Sequence, residues 1–329
     1  MTQAPVAPPP RKPAEEATAP RSPKPRRKPL GVRIRRDKLL LLLMVPGVLY
    51  FLVFHYGALF GNFIAFKDYV PFYGVWDSEW VGVEKFSDLM DNAEFWQATW
   101  NTISISFLQL LFYFPAPLAL ALLLHSLTRD SVRRFVQSVV YLPHFISWVI
   151  VVALFQQVLG DVGVLNGMLA DGGLSTVDII GNPNAYKPLV IAQVIWKECG
   201  WGTIIFLAAL AGVNEQLYEA AAIDGAGWWR RTWHVTLPAI RPVIILLLIL
   251  RLGDILTVGF EQFFLQRNAV GPEAGEVLDT FTYYLGLQNG DFSLGAAAGL
   301  MKGVVGLVLV YTANKIAHRL GESGVYKSS

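Results

Sequence analysis

The sequence predicts an all-α integral membrane protein with six transmembrane helices. Three observations carry this. Of its 329 residues, 53% are hydrophobic and only 16% are charged, which is too apolar for an ordinary soluble domain. The apolar residues come in long runs rather than alternating, as helices buried in lipid require. The first such run, residues 39–60, would rise about 33 Å as a helix, enough for one crossing.

The remaining spans follow in order. Residues 1–37 are rich in Pro, Lys, Arg and Ala, a composition that cannot bury enough surface to order itself; it reads as a disordered tail. The membrane domain covers 38–329. Its spans are placed at 39–60, 99–124, 138–159, 188–211, 240–261 and 293–317. Pro46-Gly47 should bend the first, and Pro115 with Pro117 the second. The stretches 67–95, 160–187 and 262–292 are too polar to span and read as external segments.

Charge orients the chain. Eleven of the 27 Lys and Arg residues lie before Leu39, and three more lie in each of 126–138, 212–241 and 315–329. With the N-terminus inside, 20 of 27 are therefore cytoplasmic, as the positive-inside rule expects. The external segments hold Lys67, Lys85, Lys187 and Arg267, and the spans hold Lys197, Arg251 and Lys302. Both termini are expected in the cytoplasm. The basic cluster from Arg26 to Lys38 abuts a span, which fits an anionic membrane face and argues against nucleic acid.

The polar interruption 212–239 is the most informative stretch. Asn214 can cap a helix through Ile223, because its side chain can accept a bond from an orphan backbone N–H. Asp224-Gly225 reads as a turn. A second short helix should run from about Gly227 to Val235 and end before Leu237-Pro238, since a residue preceding proline is pushed out of the α region. Small residues at Ala220–Ala222 and Gly225–Gly227 leave room for another protein's backbone.

Glu219, Ala220, Ala221, Asp224, Gly225, Ala226, Trp233, Leu237, Pro238 and Pro242 resemble, at matching spacing, the cytoplasmic "EAA" loop of binding-protein-dependent ABC importer permeases. LPHFISWV (Leu142–Val149), WKECGWGTIIFLAAL (Trp196–Leu210), GFEQFFL (Gly259–Leu265) and YYLGLQNGDFSLGAAAGLMKGVVG (Tyr283–Gly306) resemble the LplB/YtcP-type polysaccharide subgroup of that MalF-like family. FHYGALFGNFIAFKDYVPF (Phe54–Phe72) does so too. The resemblance implies the type I importer (MetI-like) permease fold in a bacterial cytoplasmic membrane. It implies an oligosaccharide substrate, uronic-acid-containing ones included. It also implies a second permease subunit, ABC ATPase subunits that carry ATP and Mg and dock on the loop, and an extracellular or periplasmic solute-binding protein.

No Gly-x-x-x-x-Gly-Lys-Ser/Thr loop is present, so the chain itself should hold no nucleotide cofactor. The five histidines are scattered and one cysteine, Cys199, stands alone; neither metal nor catalytic chemistry is signalled. An ATP-independent secondary transporter or channel fits six spans equally well but leaves the loop motif unexplained.

Charge within a bilayer normally faces a cavity or another chain. Lys197, Glu198, Arg251, Asp254, Glu261 and Lys302 are therefore candidates for the translocation path, weighed against interhelical pairs that lock the bundle. Arg251 and Asp254, three apart, share a helical face and should pair; Lys197 and Glu198, adjacent, should not. Gly295, Gly299 and Gly303 form a small-residue stripe expected to pack against a neighbouring helix. Trp76, Trp80, Trp96, Trp196 and Trp201 suit sugar stacking or interfacial anchoring.

Overall fold

The structure, a computed structural model, describes residues 37–319. The expected N-terminal tail and the last ten residues lie outside that range. Six helical stretches are long and apolar enough to cross a membrane: Lys38–Phe66, Ala93–Ser126, Trp148–Asp171, Pro183–Ala211, Trp228–Gly253 and Phe292–Arg319. Among the described residues, those up to Leu59 form one compact unit and those from Phe60 onward a second.

Several helix limits follow from local chemistry. The fourth span starts five residues before its expected position. Asn182 caps it by accepting from the Asn184 N–H, and Pro183 sits in its first turn, where a missing N–H costs nothing. The second span crosses Pro115 through a π-turn at Gln109–Tyr113, which accommodates the missing donor. The expected third span straddles two helices. Asp130–Tyr141 ends in a short 3-10 turn, Leu142–Phe145, and the helix resumes at Trp148. Within the expected loop 160–187 lies a further helix, Val164–Asp171.

The fifth span departs most from expectation. Leu237-Pro238 does not end the preceding helix: Trp228 to Gly253 is one helical stretch. A π-turn over Thr232–Thr236 stands just ahead of Pro238, and its wider winding takes up the ring that would crowd a regular turn. The span then stops at Gly253 rather than continuing to 261, and helix resumes only at Phe260.

Within the second unit the spans hold together by close packing and polar contacts, because lipid gives apolar helices little reason to prefer one another. A Cβ on Gly200 would lie 1.9 Å from the Val140 carbonyl oxygen, so the glycine lets the end of Asp130–Tyr141 lie directly on the fourth span. Gln193, Gln262 and Gln266, all buried, bond one another at 2.8–3.0 Å. Thr102 accepts from the Leu278 N–H at 2.8 Å, and Asn101 donates to the carbonyls of Glu273 and Glu276. Apolar clusters around Phe95, Leu278 and Ala298, and around Ile105, Tyr186 and Phe263, fill the spaces between.

An antiparallel pair of two-residue strands, Lys67–Asp68 and Glu79–Trp80, closes the segment after the first span. Lys67 is buried beneath it and donates to the carbonyls of Trp76 and Ser78. Nearby, Lys85 forms a 2.8 Å ion pair with Asp68. Burial works against the Lys85 charge, but the Asp68 bond and charge, with Asp291 and Asp88, outweigh it and raise the ammonium above its usual range.

Candidate functional site: an exposed elbow and a polar belt

The elbow is built by short-range bonding. Asn214 accepts from the Gln216 N–H at 3.0 Å and starts the helix Glu215–Ile223. Gly225, with φ of +72°, ends it. The Gly225 N–H donates to the Ala222 carbonyl and the Ala226 N–H to the Ala221 carbonyl, the paired bonds of a Schellman cap. The Arg231 Nε–H then donates to the Ala226 carbonyl at 2.7 Å and pins the following turn. Glu219, Ala220, Asp224 and Gly225 are exposed, while Ala221 and Ala226 are half-buried. Ile223 is 87% exposed, and Trp229 and Trp233 also stand out into open space, an apolar tip on a polar loop. Leu237 and Pro238 lie in the helix that leaves the elbow.

Tyr218 ties the two arms together. Its hydroxyl and that of Thr236 share a 3.0 Å bond, and its ring lies against His125 of the second span. A displacement of the elbow therefore reaches two spans directly. Tyr218 stands beside the motif, but only its partner 18 residues on reveals its role.

The intramembrane ionisable residues separate into three groups. Lys197 and Glu198 do pair, at 3.2 Å, contrary to expectation. Adjacent residues leave a helix in different directions, but the long lysine stem bends back to a shared centre. That centre is the 3-10 turn of the third span. Lys197 donates to the His144 carbonyl at 2.7 Å, and the Glu198 carboxylate accepts from the His144 ring at 2.6 Å. Trp201 stacks on the same ring at 4.4 Å. His144 was not singled out from the sequence, because its partners lie 53 and 54 residues away.

Arg251 and Asp254 form no ion pair among the described residues, although the Asp254 charge still acts on the guanidinium. The helix ends between them, so the three-residue spacing no longer sets a common face. Arg251 instead donates to Gln109 and lies 5.6 Å from the centre of the Tyr113 ring, both on the second span's π-turn. Asp254 is exposed, as is Glu261 at the start of the next helix.

Lys302 forms an ion pair with Asp279. The pair lines a cleft of about 780 Å³ beside the break in the fifth span, where Gly253, Thr257 and Phe260 form one wall. Non-helical backbone at membrane depth is tolerated where it borders such a cavity. The cleft is also lined by Gly299 and Gly303, which pack on no other helix among the described residues: a Cβ at either would have no neighbour within 4 Å. Gly295 does pack, and its Cβ would meet Gly286 Cα at 2.7 Å. The second oxygen of Asp279 is buried with no partner. Among the described residues no cluster of three or more His, Cys, Asp or Glu could hold a metal ion.

Residues 113–320 match the family described as binding-protein-dependent transport system inner membrane component. The chain belongs to this family. Protein LplB of Bacillus subtilis (strain 168) is 46% identical to this permease over 294 residues, 89% of this chain and 92% of its own length. The polygalacturonan/rhamnogalacturonan transport system permease protein YteP of the same organism is 45% identical over 304 residues, 92% and 95% of the two chains. Among solved structures, a bacterial ABC transporter involved in the import of the acidic polysaccharide alginate has a chain 39% identical, with a TM-score of 0.82 over 89% of this permease and 99% of that chain. The same likeness, at a TM-score of 0.81, holds for a bacterial alginate ABC transporter in complex with an alginate pentasaccharide-bound periplasmic protein. The permease is thus the membrane component of an ABC importer and a multi-pass inner membrane protein. It is a transport protein, not an enzyme, and the ATP-independent carrier weighed from the sequence gives way to it.

Proposed function

We propose that this permease imports an oligosaccharide and forms half of the pathway, with a second permease chain supplying the other half. Its relatives' transport of sugar polymers supports the substrate class. Both termini and the elbow lie in the cytoplasm on this reading, as the distribution of Lys and Arg supports. ABC ATPase subunits, carrying ATP and Mg, dock on the elbow, and a binding protein delivers substrate to the opposite face.

The observation that carries the coupling role is the elbow itself. An exposed apolar tip at Ile223, Trp229 and Trp233 straddles the Gly225 turn, between a helix closed by its own caps and the start of the fifth span, and Tyr218 ties the two together. Such a part moves as a unit. ATPase closure displaces it, the spans it joins tilt, and access passes from outside to inside, driven by contacts that differ between the two states. The polar belt around Glu198 and Arg251, and the cleft at Lys302, supply groups along the path that bond sugar hydroxyls. The test is purification in mild detergent from native membranes. A P-loop ATPase and a second permease should co-elute. A chain that purifies alone and drives uptake from an ion or sugar gradient overturns the reading.

A further inference from the structure

The sequence places three basic residues within the spans, and the structure balances two of them. Lys197 has Glu198, and Lys302 has Asp279. Arg251 has no carboxylate within ion-pair distance among the described residues; the Asp254 charge reaches it only from farther off. Its neighbours are the neutral amide of Gln109 and the face of Tyr113. A guanidinium carries five N–H donors. One is taken by Gln109, and no other protein acceptor among the described residues meets the rest. Its place in the last turn of its helix supplies only the partial negative charge of free carbonyls. A full positive charge held at membrane depth without a directly bonded counter-ion is unfavourable, and an anion arriving there offsets that.

The setting is built and open at once. Gln109 is fully buried and fixed within the π-turn, and Tyr113, four residues on, lies under the guanidinium. Together they orient the planar fork. Arg251 and Tyr113 are only half-buried, and Leu250 beside them is exposed, so the guanidinium is not sealed within the chain. A planar fork with unused donors matches a carboxylate bidentately, which an ammonium does not. Trp201, stacked on His144 by one face, is otherwise exposed and offers an aromatic surface of the kind a sugar ring covers.

We infer that Arg251, oriented by Gln109 and Tyr113, recognises the carboxylate of an acidic oligosaccharide in transit and selects it over a neutral one. This rests on the oligosaccharide reading above and adds the residue that reads a carboxylate on the substrate.

The test uses the complete importer, purified with its ATPase, second permease and binding protein, in proteoliposomes. The probes are a galacturonate trisaccharide and its methyl ester, which keeps the hydroxyls and removes the charge. Arg251→Gln should lower uptake of the acid by roughly tenfold or more, the scale of one lost charge-assisted contact, with subunit composition unchanged. Any uptake of the ester should stay within about twofold. Arg251→Lys should fall between parent and Arg251→Gln. Gln109→Glu keeps the arginine but gives it a resident carboxylate, and should also depress acid uptake.

Unchanged acid uptake in Arg251→Gln overturns the inference alone. So does an equal fall for acid and ester, loss of the second permease in step with uptake, or a parent that carries only the ester. A parent complex that carries neither probe overturns the oligosaccharide reading and this inference with it.

Discussion

The elbow at residues 214–237 leads from the fourth span into the fifth and the break at 253–260 ends the fifth, yet the two are held in opposite ways. The elbow is closed by bonds that mostly span two to five residues: the Asn214 cap, the Gly225 Schellman pair and the Arg231 bond to Ala226. The break is closed by partners far along the chain. Gly253 lies against Val310, Ser106 donates to the Ile255 carbonyl, and Lys302 meets Asp279 across the adjoining cleft. A part held locally can swing without losing its shape, which suits a lever. A part held by distant helices changes shape when those helices move, which suits a gate along a path.

Breaking one contact in each region sharpens the contrast. The largest effect should come from Lys302→Ala, which leaves Asp279 in the cleft without its cation and should destabilise the chain by about 3–5 kcal/mol. Thermal unfolding of the purified complex reads this, and the double variant Lys302→Met with Asp279→Leu should recover most of the loss. A lone variant as stable as the parent would show that the pair does not hold the break.

Gly225→Val should act next. A side chain there finds open space, so the cost is the left-handed backbone alone, about 1–2 kcal/mol. Folding should survive, but stimulation of ATP hydrolysis by loaded binding protein should drop severalfold. Unchanged stimulation and uptake would count against the lever. The smallest effect should be that of Asn214→Ala, about 1 kcal/mol from one lost cap, read as a modest fall in melting temperature with transport retained. If it cost as much as Lys302→Ala, the elbow would not be the locally held part.

This difference also explains which readings the sequence supported. Cap and turn at the elbow were legible because each depends on neighbours along the chain. The end assigned at Leu237-Pro238 failed because the proline rule assumes a regular α-turn ahead of it, and a π-turn stands there instead. The Arg251 and Asp254 pairing failed for a related reason: spacing defines a face only while the helix lasts, and this one stops at Gly253. The glycine stripe was visible, but not that Gly299 and Gly303 would face a cleft while Gly295 packed on Gly286.

Sequence alone determined the membrane class, the six spans and the elbow, because hydrophobic length, charge distribution and short-range capping are written residue by residue. Only the tertiary structure decided which charges are balanced. Lys197 and Lys302 form ion pairs and Arg251, among the described residues, forms none, and that depends on which helices lie side by side, since at membrane depth a charge is settled by its neighbours in space.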